Sequence, residues 1–325
     1  MPDIVCELRD FANRSLASPH MVTVTPERLL DCAARVGMPT IASHPAHRRP
    51  FAEMLWRMGM VAANLRPTKS GKGWTRTSAY NRLDPSEKSA VSYFLGMTQA
   101  ALTTRYVLGY PHLVHVDLLL RHQGLTLSGH RPDFVAVDPA SSLRNAYSAV
   151  VEAKGRTNGF DEGPLDRAKA QVATTPTIRN LHVRERIASV AYFDEDDHWA
   201  SVLKDPDGSG EALALGLESY LLLYYRNIIE AGRESETWEL TNGSYSFVVR
   251  DFRMEFQIPK SLVDAYDESA GIASSEDRDA EAPILANFYR LAESSSDDAG
   301  DLIVSRFLGD SEEVLSELLE LYSEG

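Results

Sequence analysis

Three segments with strand character follow one another between residues 112 and 153, and a fourth arrives only after a helix. The first, His112 to Arg121 (HLVHVDLLLR), is rich in β-branched and apolar residues. The second, Arg131 to Asp138 (RPDFVAVD), alternates, and the third, Tyr147 to Ala153 (YSAVVEA), ends in Lys154-Gly155. Pro164 to about Val172 reads as a helix, and Arg186 to Phe193 (RIASVAYF) as the fourth strand. Short links between consecutive strands imply hairpin pairing, whereas an intervening helix implies a crossover. Upstream, Asp84, Pro85 and Glu87 open a long helix that runs to about Val107. The pattern predicts an α/β chain built on helix, three strands, helix and strand, with a mixed sheet.

The flanks are read the same way. Thr25 to Val36 and Phe51 to Leu65 carry apolar residues at helical spacing, and Thr25-Pro26-Glu27 supplies an N-cap signal. Thr68 to Ser78 (TKSGKGWTRTS) reads as a Gly-rich basic loop. Glu211 to Ala231 reads as a helix, and Thr237 to Gln257 as a β-meander turning at Asn242-Gly243. After Pro259 the chain turns acidic. Ser269 to Ala282 and Ser294 to Gly300 read as flexible linkers, and Leu302 to Leu321 as one or two short helices. The expected organisation is a helical, basic N-terminal region over 1–83, an α/β core with an added helix and meander over 84–259, and an acidic, partly flexible helical tail over 260–325.

Charge is segregated along the chain. From Asp264 to Gly325 there are 17 acidic residues against 3 arginines, which accounts for the whole net charge of -14. His44 to Leu83 goes the other way, with eight Arg or Lys residues against Glu53 alone. Such a segment can neutralise phosphates. Arg48, Arg49, Lys69, Lys72 and Arg76 are the candidate nucleic-acid contacts, with Trp74 as a ring on which a base could stack; a solvated surface and an exposed linker are the plain alternatives. The acidic tail reads as a solvated appendage, a binder of a basic partner, or an internal mimic folded over the basic segment. Hydrophobic residues at 43% and charged residues at 25% are ordinary for a globular protein. No apolar run reaches about 18 residues, no signal-peptide pattern opens the chain, and two cysteines make no disulfide framework. The expectation is a cytoplasmic protein with no membrane contact.

The chemistry is carried by Pro132-Asp133 on the second strand and Glu152-Ala153-Lys154 at the end of the third. Alternation puts Glu152 and Lys154 on one face, and neighbouring strands lie about 4.8 Å apart, so two carboxylates and an ammonium converge at one sheet edge. Oxygen ligands of this kind suit Mg²⁺ together with water and phosphate oxygens. The lysine can orient or deprotonate a water and stabilise developing negative charge. Glu152-x-Lys154 is the one acid-x-Lys in the chain, while Pro-Asp recurs at Asp3 and Asp207. The motif draws its weight from falling on consecutive strands in this element order.

Arg131-Pro132-Asp133-Phe134 and Val150-Val151-Glu152-Ala153-Lys154-Gly155, in that order of elements, resemble the PD-(D/E)XK nuclease superfamily and its restriction-endonuclease-like fold. The resemblance covers Pro85 to Phe193. It implies Asp133 and Glu152 as metal ligands, with the Ala153 carbonyl as a third, and Lys154 as the catalytic lysine. It also implies a further carboxylate from the first core helix, for which Glu87 is the candidate. Lys169 and Gln171 are the candidates for a polar residue on the helix after the lysine strand, with Gln171 preferred. The implied activity is metal-dependent phosphodiester hydrolysis of nucleic acid, DNA rather than RNA, in restriction, phage defence or repair. The cofactor would be Mg²⁺, with Mn²⁺ as substitute. A neutral core with an acidic tail suggests work with a protein partner or as a homo-oligomer. The alternative is a catalytically weak or inactive module of the same fold that binds nucleic acid or a partner protein. A third reading is an accidental match in an unrelated α/β module.

Other signals are set aside. The nine histidines show no zinc spacing with cysteine. KSGKGW lacks the phosphate-loop pattern. His112, His115 and His130 could lie near a metal but read first as surface or rim histidines; Asp117 is a candidate extra acid but reads first as a solvent-facing strand position; Tyr220, Tyr224 and Tyr225 read as core or subunit interface.

Overall fold

The structure, a computed structural model, describes residues 1–11, 18–37, 49–122, 132–137, 146–173, 177–179, 181–205, 212–214, 217–273, 303–309 and 313–314. The chain opens with β1 (Asp3–Arg9), β2 (His20–Thr23), α1 (Pro26–Arg35), α2 (Pro50–Ala62), β3 (Leu65–Pro67), β4 (Trp74–Arg76) and α3 (Ser78–Arg82). The central run is α4 (Pro85–Tyr106), β5 (His112–His115), α5 (Val116–His122), β6 (Phe134–Val137), β7 (Ala146–Gly155), α6 (Glu162–Ala173), β8 (Thr177–Arg179), β9 (Leu181–Phe193) and β10 (Trp199–Lys204). It closes with β11 (Ala212–Ala214), α7 (Leu217–Glu234), β12 (Glu239–Thr241), β13 (Ser244–Val249), β14 (Met254–Pro259), α8 (Lys260–Ala273) and β15 (Val304–Phe307). No described helix is long and apolar enough to cross a membrane.

Among the described residues a seven-stranded mixed sheet runs in the order β2-β1-β10-β9-β7-β6-β5. The β5–β6 and β6–β7 pairs are antiparallel, and β7 pairs with β9 in parallel, with α6 in the crossover between them. This is the predicted hairpin-then-crossover order. Alternation divides β7 between two layers. Ala149, Val151 and Ala153 share a core with Val91, Leu95, Ala100 and Leu102 of α4. On the other face, Leu165 and Ala168 of α6 pack on Ala188 and Val190 of β9, the partners of Glu152 and Lys154. Glu152 and Lys154 therefore belong to the α6 face.

Helix α4 starts where its cap chemistry requires. The Asp84 carboxylate accepts the Ser86 and Glu87 N–H groups at 2.6 and 3.0 Å, and Glu87 returns the favour by accepting the Asp84 N–H at 3.0 Å. This reciprocal capping box satisfies donors that a helix start otherwise leaves open. The Asn242-Gly243 turn is also as predicted, both residues having positive φ (52° and 82°) between β12 and β13.

Several boundaries differ from the expected ones. The first strand stops at His115, and Val116–His122 forms α5, burying Leu118, Leu119 and Leu120 in succession. An apolar run of that length does not distinguish a strand from a buried helix. Residues 1–83 are not a separate helical region, because β1 and β2 extend the central sheet through the parallel β1–β10 pair. Nor does the fold end at 259. Helix α8 buries Leu262, Val263, Ala265 and Tyr266, and β15 pairs with β14, so Val304–Phe307 is a strand where helix was expected. The expected linker at Ser269 begins inside α8, and the one at Ser294 to Gly300 lies outside the described residues. The expected helix at Glu211 begins at Leu217, after β11 has paired with β8.

Candidate active site

The β6–β7 register matches Phe134 with Val151, and one step further sets Asp133 opposite Glu152. The two acids are hooked to each other's strands. The Asp133 N–H donates to Glu152 Oε2 at 3.1 Å, and the Ala153 N–H donates to Asp133 Oδ2 at 2.9 Å. Lys154 pairs its ammonium with Glu152 Oε1. Glu152 is 1% exposed, whereas the Lys154 side chain keeps 32% of its surface in water. A buried carboxylate is tolerated only with such partners. Burial first, then the charge of Asp133, pushes the Glu152 carboxyl up to about 7, against the opposing effect of Lys154.

Two carboxylates from adjacent strands, one out of water, form a local excess of negative charge that a divalent cation relieves. Among the described residues no group of three or more His, Cys, Asp or Glu is arranged to hold a metal. Mg²⁺ commonly takes only one or two carboxylates and fills its remaining positions with water and substrate phosphate. The donor set of Asp133 and Glu152 fits that ion rather than one needing a full protein cage.

Helix α4 is seated directly on the end of β7. A Cβ on Gly96 would lie 2.6 Å from the Gly155 nitrogen and 2.8 Å from the Lys154 carbonyl carbon, and a Cβ on Gly155 would overlap the Ser92 carbonyl oxygen. Helix and strand thus meet backbone to backbone, with glycine on both sides. Tyr93, on this stretch of α4, lies within electrostatic reach of the acids. Burial, then the charges of Asp133, Glu152 and Asp117, push its phenol up to about 12. Asp117 is half-buried at the start of α5, where its N–H donates to His115 Nδ1 at 3.2 Å and the preceding Val116 N–H donates to the Asp133 carbonyl at 2.9 Å.

No protein-family model matches the chain, and neither do curated proteins or solved structures. The chemistry follows from the geometry of the site.

The other predicted site residues fall in different places. Glu87 is exposed two turns before Tyr93 on α4, with its carboxylate turned back to its own N-cap rather than toward the acid pair. Glu87→Ala is therefore expected to cost about 0.5–1 kcal/mol of stability and to leave any Mg²⁺-induced rise in Tm unchanged. A loss of that rise in thermal melts would return Glu87 to the ligand set. Gln171 is half-buried on α6, the helix that covers the Glu152–Lys154 face; Lys169 on the same helix pairs with Asp166 at 3.2 Å. Trp74 is not a stacking platform. It is 2% exposed in the core, and its Nε1–H donates to the Val24 carbonyl at 3.1 Å. Arg76 is likewise committed inside the fold. It pairs with Asp197, donates to the Thr157 carbonyl at 3.1 Å and lies 4.7 Å over the Phe193 ring. Lys69 and Lys72 are exposed between β3 and β4. The Asp3 N–H of β1 donates to the Lys72 carbonyl, and β1 lies three strand spacings, about 14 Å, from β7. Arg49 is exposed at the N-cap of α2, and Arg48 lies outside the described residues. His112 is core rather than rim, its Nε2 being 2.8 Å from the Tyr225 hydroxyl, and Tyr220, Tyr224 and Tyr225 are buried. His130 lies outside the described residues.

Tyr93 is a site neighbour that sequence reasoning missed, and Asp117 one that it weighed as an extra acid and set aside. The strand reading of 112–121 sends Asp117 to solvent, and only the change to helix at Val116 brings it beside Asp133. Tyr93 carries no local motif; its signal is Gly96, whose meaning depends on the partner Gly155.

Proposed function

We propose that the chain is a metal-dependent phosphodiesterase acting on nucleic acid, with DNA as the preferred substrate. One observation carries this reading. Asp133, just before β6, and Glu152, on the antiparallel β7, are tied together by the Asp133 N–H to Glu152 and the Ala153 N–H to Asp133, and Lys154 stands beside them with its ammonium at the boundary of solvent. The surrounding order of α4, β5, β6, β7, α6 and β9 agrees with the restriction-endonuclease-like core that the motif resembles. Asp133 and Glu152 would hold Mg²⁺, or Mn²⁺ in its place. The ion, when bound, would neutralise charge on the scissile phosphate and acidify a water. The backbone hooks fix each carboxylate in one rotamer, so ligand positions are set before substrate arrives. Lys154, with about a third of its side chain in water, is able to leave Glu152 and meet the phosphate or the attacking water, where its charge offsets the negative charge that builds up.

A second reading is a nuclease-like module that binds nucleic acid or a partner protein without cutting. The Glu152–Lys154 pair favours it, because it occupies one of the two Glu152 oxygens.

The test uses the full chain with supercoiled plasmid, linear duplex, single-stranded DNA and RNA, each with Mg²⁺, with Mn²⁺ and with chelator. Cleavage is expected with either metal and none with chelator. In parallel, millimolar Mg²⁺ should raise the Tm of the wild type and not that of Asp133→Asn, since a ligand stabilises only the state that binds it. A folded wild type that neither cuts nor responds to metal would overturn the enzyme reading in favour of the module.

A further inference from the structure

Near the end of β7, where α4 is seated, the surface carries an aromatic ledge. Trp56 of α2 and Tyr93 of α4 are 51% and 43% exposed. Phe94 lies between them, its ring 4.6 Å from Trp56 and 5.4 Å from Tyr93, both edge to face. Single exposed aromatics are ordinary; two exposed rings joined through a half-buried third call for a ligand. One turn away along the two helices stand Ala52, Gly59, Ser89 and Ala90, while Glu53 is turned to Arg57 and Met60 packs against the core. A Cβ added at Gly59 would meet nothing within 4 Å.

The ledge is fixed to the site. Tyr93 follows Ser92, whose carbonyl meets Gly155 one residue beyond Lys154. The Tyr93 phenol lies within electrostatic reach of Asp133, Glu152 and Asp117.

We propose that Trp56, Phe94 and Tyr93 offer an unpaired nucleobase a stacking surface at the end of β7 where Asp133, Glu152 and Lys154 meet, so that single-stranded or frayed nucleic acid is the preferred substrate. The inference rests on the phosphodiesterase reading. Base faces inside a duplex are already covered by their neighbours, so only an unpaired base can use an open ring. A protein partner fits less well. A stable interface needs about 800 Å² on each side, and among the described residues Trp56 and Tyr93 are the only large apolar side chains exposed on α2 or α4.

The experiment measures binding of a 12-nucleotide single strand carrying 2-aminopurine, and of the matching duplex, to the full chain in chelator. Wild type is compared with Trp56→Leu and Tyr93→Leu, each checked for folding by its melt. Single-strand affinity is expected to fall about tenfold in each variant, with 2-aminopurine quenching reduced and duplex affinity unchanged. Unchanged single-strand affinity and quenching in both folded variants would overturn the proposal and leave the ledge as a protein-docking face. A wild type that cuts duplex in Mg²⁺ but binds no single strand would also overturn it, while the phosphodiesterase reading stood. Ledge-dependent binding by a chain that cuts nothing with either metal would sustain the ledge and sink the phosphodiesterase.

Discussion

Gly155→Ala is expected to lower stability by about 3 kcal/mol or more, at the upper end of what overpacking costs. The added methyl would overlap the Ser92 carbonyl oxygen, and its next neighbours are the Ser92 carbonyl carbon and the Gly96 nitrogen. All three are backbone atoms inside α4 or at its surface, so no side-chain rotamer change relieves the clash. The helix would have to lift off β7. Lifting it would open the layer formed by Val91, Leu95 and Ala100 against Val151 and Ala153. Gly96→Ala meets the same obstacle from the other side, with the Gly155 nitrogen at 2.6 Å. Gly59→Ala is the control. It lies inside α2 with open space around the new Cβ, so it should be neutral or stabilising by up to about 1 kcal/mol. Urea unfolding of the three variants checks the ranking. A Gly155→Ala protein as stable as wild type would mean that α4 does not sit on the end of β7, and Tyr93 would then lose its place beside the acids.

The parts of this arrangement legible from sequence are those encoded locally. The α4 capping box is written in Asp84-Pro85-Ser86-Glu87, and the hairpin turn in Asn242-Gly243. The site core was legible too, because strand alternation and the two-residue spacing of Glu152 and Lys154 determine a common face whatever the rest of the chain does. What was not legible depends on distant partners. Trp74 sits in a basic, Gly-rich stretch that resembles an exposed loop, yet the β3–β4 hairpin carries it into the core, where the Val24 carbonyl accepts its indole N–H. Arg76 looks like a phosphate contact until Asp197, more than a hundred residues away, is placed beside it. The short β1 and β2 were missed because their burial depends on β10 as a template rather than on their own composition. Glu87 shows a further kind of ambiguity. One residue satisfies both a capping box and a family's expected carboxylate, and the helix start has the stronger local claim.

Glu152→Gln should separate stability from activity more sharply than any other substitution at the site. Cleavage is expected to fall by about 10²-fold or more, since a charged group aimed at the reacting phosphate is lost. Stability should stay the same or rise by up to about 2 kcal/mol, because the variant removes a buried charge that both burial and Asp133 disfavour. The amide oxygen of Gln is still able to accept the Asp133 N–H that Glu152 Oε2 accepts at 3.1 Å, so the strand hook survives. Lys154 loses its partner but keeps 32% of its side-chain surface in water, where an ammonium is solvated at little cost. A purely structural Glu–Lys pair predicts the opposite sign, with a destabilised variant and unaltered chemistry. Paired cleavage rates and urea midpoints for Glu152→Gln and Lys154→Met decide between them. A fold kept at the expense of a buried, repelled carboxylate is understandable where that carboxylate has work to do in the presence of a cation and a phosphate. A Glu152→Gln protein that loses stability and keeps its activity would end that account.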